Sequence, residues 1–407
     1  MTKFTKDTIL QCVPGLTVRV DENNLIAIKV GDETMSSSLH ALTVLGMFAH
    51  PRTLAEAMNR LKPLVEGTQD WMDLTSVIHQ LWTAGILTTE LSTKKAFQSE
   101  KYSGAHVHTV MLNDRERTAR YLEAIAAVVK QDDVVVDIGT GTGVLALAAA
   151  RAGARHVYAI EATGIGQVAR ELFEANGFED RISLVEGWST RVSLPERADV
   201  LVSEMIGHNP LGEGLIEITC DARKRLLKPD ARLIPSHVNL YGQALTVPPE
   251  KMKRYTFSTD AVRDWNQWYG LNFDPLVSLA QARNQRIMVK PQRSRDWAHL
   301  APPVLLAEID LSVADAPGLE TTEGITVSQP GLLNGFMVYF ELILSENVQL
   351  SVSPTEADED NHWKNMTWVW PHGFPVSMGT NVEVEFYEYR HGKPNGLSLR
   401  VLDPATA

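Results

Sequence analysis

The chain has 407 residues, 44% hydrophobic and 22% charged, with a formal net charge of −12. That length supports two or three domains with proper cores, and the composition is that of an ordinary soluble protein. An acidic surplus of this size argues against general nucleic-acid binding, because phosphate would be repelled, and it suits a cationic substrate. Cys12 and Cys220 give neither a disulfide framework nor a metal cluster. With no long apolar run and no signal-like start, neither a membrane nor a metal enters the expectation, and a cytoplasmic enzyme is the default.

Residues 1–95 read as a first unit. Leu16–Val20 and Leu25–Val30 form two short strands around the turn cluster Asp21-Glu22-Asn23-Asn24. Ser38 precedes an apolar helix over Leu39–Phe48, and Thr53 caps a second helix with Glu56 at the capping-box position. A third helix runs from Leu74 to Ala84 and stops at Gly85. Strands followed by three short helices predict a winged-helix-like accessory module. Arg52, Arg60 and Lys62 are too scattered for a basic recognition helix, which leaves packing, dimerisation or peptide capture as its role.

Residues 96–235 alternate strand and helix. Val134–Ile138 is a buried strand that runs into Gly139-x-Gly141-x-Gly143, and an Ala- and Leu-rich helix follows from Val144. His156–Ile160, Ile182–Glu186 and Asp199–Ser203 are further strands, with helices over Ile165–Asn176 and Leu215–Leu227. This order predicts a doubly wound, Rossmann-like parallel sheet with its chemistry at the carboxyl ends of the strands.

From residue 236 to 407 the pattern turns to β: Ala244–Val247, Val304–Leu311, Leu333–Ile343, Val369-Trp370 and Val382–Tyr389. A β-barrel or sandwich is expected, interrupted by a helical arm around residues 255–282. Trp265, Trp268 and Tyr269 lie on this polar segment, where free exposure would be costly, so an interface is favoured.

The glycine loop alone does not choose between a dinucleotide and S-adenosylmethionine. Its last two glycines are one residue apart, whereas the dinucleotide fingerprint needs two. Glu161, at the next strand end, can accept from a ribose diol in either cofactor. Asp199–Ser203 then delivers Glu204, and Glu213 closes the following loop. Two carboxylates above a cofactor turn make a clamp for a planar guanidinium, whose fixed fork of donors matches bidentate oxygens. Holding the cation this way leaves one nitrogen free to attack a sulfonium methyl in line, with proximity and electrostatics as the main sources of rate.

With these residues placed, the chain resembles the protein arginine N-methyltransferase family over roughly residues 106–390. His108 to Tyr121, with its Met-Leu-x-Asp-x-x-Arg-Thr pattern, is similar to the family's helical segment that closes over the cofactor. The resemblance implies that Arg117 binds the methionine carboxylate, that Asp114 supports the substrate pocket, and that Met111 packs on the sulfonium side. Asp137, Gly139 and Gly141 match the cofactor loop, Glu161 the ribose position, and Gly187 with Thr190 the adenine position. Ser203 to Glu213 matches the double-glutamate loop, with Met205 and His208 facing substrate. Asn361-His362-Trp363 stands where the family has Thr-His-Trp; His362 pairs with Asp114, and Trp363 lines the substrate entrance. The segment from Asp264 to Asn272 resembles the arm of head-to-tail dimers, which implies a homodimer.

The chain also departs from the family pattern. Met205 stands where a Trp is usual, His208 where a Tyr is, and Thr190 where an acid accepts from the adenine amino group. The expected activity is methyl transfer from S-adenosylmethionine to a guanidinium nitrogen, of arginine in a peptide or protein or of a guanidino small molecule. Two alternatives stand beside it: methylation of another nitrogen or an oxygen nucleophile, which Met205 and His208 favour, and a silent cofactor-binding scaffold, which Thr190 favours.

Overall fold

The computed structural model describes residues 5–402 apart from positions 7, 14–15, 21–24, 31–32, 39, 50–51, 63–64, 66, 90–104, 282–283, 316–318 and 389–394. The turn expected over 21–24 lies outside the described residues. The chain divides into two compact units, Met1–Gln98 and Ser99–Ala407.

In the first unit Thr17–Val20, Ile26–Val30 and Glu33–Ser37 pair antiparallel. Ile9–Cys12 lies between the short strands Arg52–Thr53 and Leu87–Thr88. The helices are His40–Met47, Leu54–Leu61 and Gly67–Thr83. Thr53 caps the second by accepting from the Glu56 amide at 3.2 Å, and the Glu56 carboxylate answers at the Thr53 amide. The unit has its own core, in which Leu10, Ile26, Phe48, Leu61 and Leu81 are fully buried. Two features depart from the sequence reading: the extra strands, and a third helix that begins seven residues before Leu74, at Gly67.

The second unit opens with two helices, Ala105–Asn113 and Arg115–Val128, where the sequence suggested one helical segment. Asp114 divides them as the N-cap of the second, its carboxylate accepting from the Arg117 amide at 3.1 Å. A five-stranded parallel sheet follows, with Val134–Ile138 at its centre. Ala198–Ser203 and then Leu227–Ile234 lie to one side, His156–Glu161 and Ile182–Glu186 to the other. Strand Leu227–Ile234 escaped the sequence reading, which ran the preceding helix to Leu227; that helix ends at Arg225. Lys228-Pro229-Asp230 looks like a turn, yet residues up to Ile234 pair with the neighbouring strand through Val202.

The antiparallel half begins at once with His237–Thr246. This strand pairs along its length with Gly331–Ser345, which in turn pairs with Asn365–Val376. A three-stranded sheet of Leu319–Thr326, Asn381–Glu388 and Gly396–Leu402 faces it, with Trp368 and Phe386 edge to face at 6.0 Å between the two. The strands are longer than the apolar runs that announced them, because half-exposed positions of period two continue the ladders. The cofactor half and the barrel half share one core: Val136, Ile160 and Val202 belong to the same buried cluster as Phe336, Phe340 and Trp363.

The arm consists of helices Thr259–Tyr269 and Pro275–Gln281. Trp265 sits between Phe257 and Phe273 in edge-on contacts of 5.9 and 6.2 Å, which stiffens the turn. Trp268, Tyr269 and Leu271 remain more than 60% exposed at its tip.

One close approach sets the geometry of the glycine loop. Gly143 has φ +86°, and a Cβ there would lie 2.4 Å from the Phe173 ring. Gly143→Ala should therefore destabilise the full chain by roughly 1–3 kcal/mol, read as a lower melting temperature by calorimetry. An unchanged melt would show that the ring moves aside at no cost.

Candidate active site

The site is assembled at the carboxyl edge of the parallel sheet. Near the end of strand Val134–Ile138 stands Asp137, whose carboxylate accepts from the Thr140 hydroxyl at 2.6 Å while its Oδ1 is buried without a partner. Burial pushes this carboxyl up to about 7, helped by the charges of Glu161 and Glu204 and opposed by the Thr140 bond. Gly139, Gly141 and Gly143 all have positive φ, and the amides of Gly139 and Thr140 bond back to Ile160. Glu161 then spans the loop: one oxygen accepts from the Gly141 amide at 2.9 Å, the other from the Thr163 amide at 2.8 Å. The Gly187 amide bonds to the Glu161 carbonyl at 2.8 Å, so the third strand end is tied to the second. Thr190 lies exposed on the turn beyond it.

The two leading helices bring Arg117 over this edge. Its guanidinium is nine-tenths buried, donates to the Met111 carbonyl at 2.9 Å and forms an ion pair with Glu204. Met111 thus meets the arginine through its backbone. Burial pushes the Glu204 carboxyl above its ordinary range; Arg117 and His362 pull it down, and Glu213 adds to the rise. Glu204 and Glu213 therefore feel each other as like charges across one loop. Gly207 is the position that makes room for the second: a Cβ there would sit 2.6 Å from Glu213 Oε1.

Asp114 and His362 come together across 248 residues of sequence. The His362 ring nitrogen Nδ1 lies 2.7 Å from Asp114 Oδ2, and the His362 amide donates to the same oxygen at 3.0 Å. Although burial works the other way, these bonds and the Arg117 amide hold the Asp114 carboxyl below the usual range.

Two positions differ from their expected placing. Trp363 does not line an entrance. It is 1% exposed, donates from Nε1 to the Ile206 carbonyl at 2.8 Å and meets Phe340 edge-on at 5.4 Å, so it braces the double-glutamate loop from behind. Met205 does not face outward to substrate either; its side chain lies against Gly139, where a Cβ would come 2.8 Å from Met205 Cγ. A flexible thioether fills that gap. His208 is exposed, as a substrate contact requires, and its Nδ1 accepts from the Lys364 amide at 3.3 Å.

His108 belongs with this group although the sequence marked it only as the start of a motif. It is 6% exposed, and a Cβ on Gly141 would lie 3.3 Å from its ring. A lone histidine in an apolar helical stripe carries no signal of its own. Its spacing to Arg117 on the same motif is the clue that was present.

The surroundings fit S-adenosylmethionine. Asp137 Oδ1 is an orphaned acceptor suited to an ammonium, and Glu161 retains lone pairs for hydroxyl donors.

Comparison with known proteins agrees with this arrangement. Residues 114–275 match the family model described as ribosomal protein L11 methyltransferase (PrmA), and residues 251–400 match the arginine methyltransferase oligomerization subdomain. Protein arginine N-methyltransferase PRMT10 of Oryza sativa subsp. japonica is 30% identical over 313 residues, covering 70% of this chain and 81% of that protein. Protein arginine N-methyltransferase 6 of Danio rerio is 30% identical over 308 residues, covering 73% and 86%. Among solved structures, the fold is similar to the Trypanosoma brucei PRMT1 enzyme-prozyme complex with AdoHcy (TM-score 0.64, 23% identity, 75% of this chain and 96% of that one). It is also similar to Arabidopsis thaliana protein arginine methyltransferase 10 (TM-score 0.60, 23% identity, 74% and 98%). A parallel sheet carrying two glutamates on one loop, joined through a shared core to an antiparallel barrel, is thus found in a chain that belongs to the protein arginine N-methyltransferase family of S-adenosylmethionine-dependent methyltransferases.

Proposed function

We propose that Glu204 and Glu213 hold the guanidinium of an arginine side chain in a peptide or protein while one of its nitrogens is methylated. The observation that carries this reading is the ion pair between Arg117 and Glu204: the first glutamate already takes a guanidinium as its partner. A buried carboxylate of this kind needs a cation beside it, and the like charge of Glu213 raises that demand.

S-adenosylmethionine, when bound, supplies the sulfonium methyl group. Arg117 is the residue placed to receive its carboxylate, and that attraction competes with Glu204 for the guanidinium. Asp137 accepts from its ammonium, Glu161 from its ribose, and Gly139, Gly141 and Gly187 allow close backbone approach. Met111 and His108 flank the loop, and Thr190 stands at the adenine end. The Asp114–His362 pair holds the barrel segment against this edge, and His362 opposes the rise of the Glu204 carboxyl. The guanidinium loses its proton after attack, so no strong base is required of His362. His208 and Lys364 lie on the outer side, where they meet residues flanking the arginine; Trp363 and Met205 act by holding the loop in place.

Three wider readings belong with this one. The exposed aromatic tip of the arm buries itself in a second copy of the chain, giving a homodimer; the oligomerization-subdomain match over 251–400 supports this. The first unit contributes peptide capture. A cytoplasmic location suits the composition; among the described residues no helix is long and apolar enough to cross a membrane.

Glu204→Gln and Glu213→Gln should each lower methyl transfer to an arginine peptide by about a hundredfold or more, with cofactor binding no weaker in calorimetric titration. A near-wild-type rate in either would sink the clamp. The double variant Trp268→Ser/Tyr269→Ser should shift the chain from dimer to monomer in sedimentation, and an unchanged dimer would remove the arm from the interface.

Asp137 gives a pH test on the ligand-free chain. A carboxyl raised to about 7 on folding keeps a proton that the unfolded chain has already lost above about pH 4. Stability contributed by this group is therefore greatest at low pH and declines as pH rises through that window. Asp137→Asn removes the decline, so the melting temperature of the variant minus that of wild type should climb from about pH 4 to about pH 7. A difference that stays flat with pH would contradict the burial argument.

A further inference from the structure

We propose that Glu388, at the end of a barrel strand, is a positioning residue for the second limb of the double-glutamate loop: it fixes Asn209, and through it the turn that presents Glu213. The inference rests on the reading of Glu213 as a carboxylate that holds the substrate.

Glu388 is 2% exposed, and its Oε1 accepts from Asn209 Nδ2 at 2.9 Å across 179 residues of sequence. A carboxylate in a barrel wall is costly to bury, and an apolar side chain would pack there at lower cost. Its retention is explained by what it grips. Asn209 is the hub of the turn: its Oδ1 accepts from the Leu211 amide at 3.3 Å, and its carbonyl accepts from the Gly212 amide at 3.0 Å. With Nδ2 held by Glu388, the side chain cannot rotate without releasing both ends.

Glu213 follows Gly212 directly and packs against Gly207, so the path of this turn decides where its carboxylate points. The first limb is secured separately, by Trp363 on the Ile206 carbonyl. Glu388 therefore acts on one glutamate and leaves the cofactor floor alone. Burial raises the Glu388 carboxyl, while the amides of Asn209 and Asn395 and the charge of Arg286 oppose the rise. Since the grip needs only an acceptor oxygen, a glutamine can supply it.

The test compares Glu388→Ala, Glu388→Gln, Asn209→Ala and the Glu388→Ala/Asn209→Ala double variant of the full chain, with Glu213→Gln as reference. Each is read for kcat and KM on an arginine peptide, for S-adenosylmethionine affinity and for melting temperature. Glu388→Ala should lose about tenfold or more in kcat with cofactor affinity unchanged, Glu388→Gln should keep most of the rate, and the double variant should be no worse than the singles. If Glu388→Ala fails to fold, Asn209→Ala cuts the same bond from the loop side and decides the matter. Full activity after either alanine change, losses that multiply in the double variant, or a glutamine variant as slow as the alanine would overturn the brace. A wild-type rate in Glu213→Gln would sink the clamp reading and the inference together; an impaired Glu213→Gln beside an unimpaired Glu388→Ala sinks the brace alone.

Discussion

Three donors converge on the carboxylate of Asp114: the Arg117 amide, the His362 amide and the His362 ring. Through this one group the second leading helix is started, the arginine over the cofactor edge is given its height, and the barrel segment carrying His362 and Trp363 is drawn onto the cofactor half. The network is nearly dry, which makes each bond count for more and each missing partner cost more. That Asp114 is held ionised while Glu204 and Asp137 are pushed upward follows from donor supply. The first is ringed by hydrogen-bond donors; at the other two burial outweighs the partners present, the Arg117 cation beside Glu204 and the Thr140 hydroxyl on Asp137.

Much of this was legible in the chain itself. Val134–Ile138 and its glycines announced the parallel sheet because a run buried on both faces has no alternation to misread. Glu161 and Glu204 could be located because strand ends are where this topology gathers polar groups, whereas Arg117, on a helix, was marked only by the likeness of its motif to the family's. Strand Leu227–Ile234 was hidden by a Lys-Pro-Asp start, and tertiary pairing overrode the local turn signal. The entrance role of Trp363 rested only on the likeness of Asn361-His362-Trp363 to the family's Thr-His-Trp. Only the packed barrel shows that its indole N–H is satisfied from the loop's far side. Met205 likewise needed the third dimension, since nothing in its neighbours along the chain points to Gly139.

The shared core of the two halves explains how a loop with two mutually repelling carboxylates keeps its shape. Its attachments reach into different parts of the barrel, so the strain of bringing like charges together is carried by a large, close-packed body instead of by the loop backbone. Rigidity of this sort is what electrostatic catalysis asks for: groups already in place do not have to be reoriented as charge moves. His208 is exposed and Lys364 half-buried, and the bond between them is the outermost of those attachments.

Gly207 closes off one route of divergence. Because Glu213 occupies the space a side chain would need, a residue larger than glycine at 207 meets the second carboxylate first. Descendants of this sequence that change substrate while keeping guanidinium chemistry must do so around the glycine, at outward positions such as 208. Descendants that lose the glycine are expected to have relaxed their hold on arginine. On the proposed clamp, this single achiral position is where the second glutamate's placement is written into the backbone.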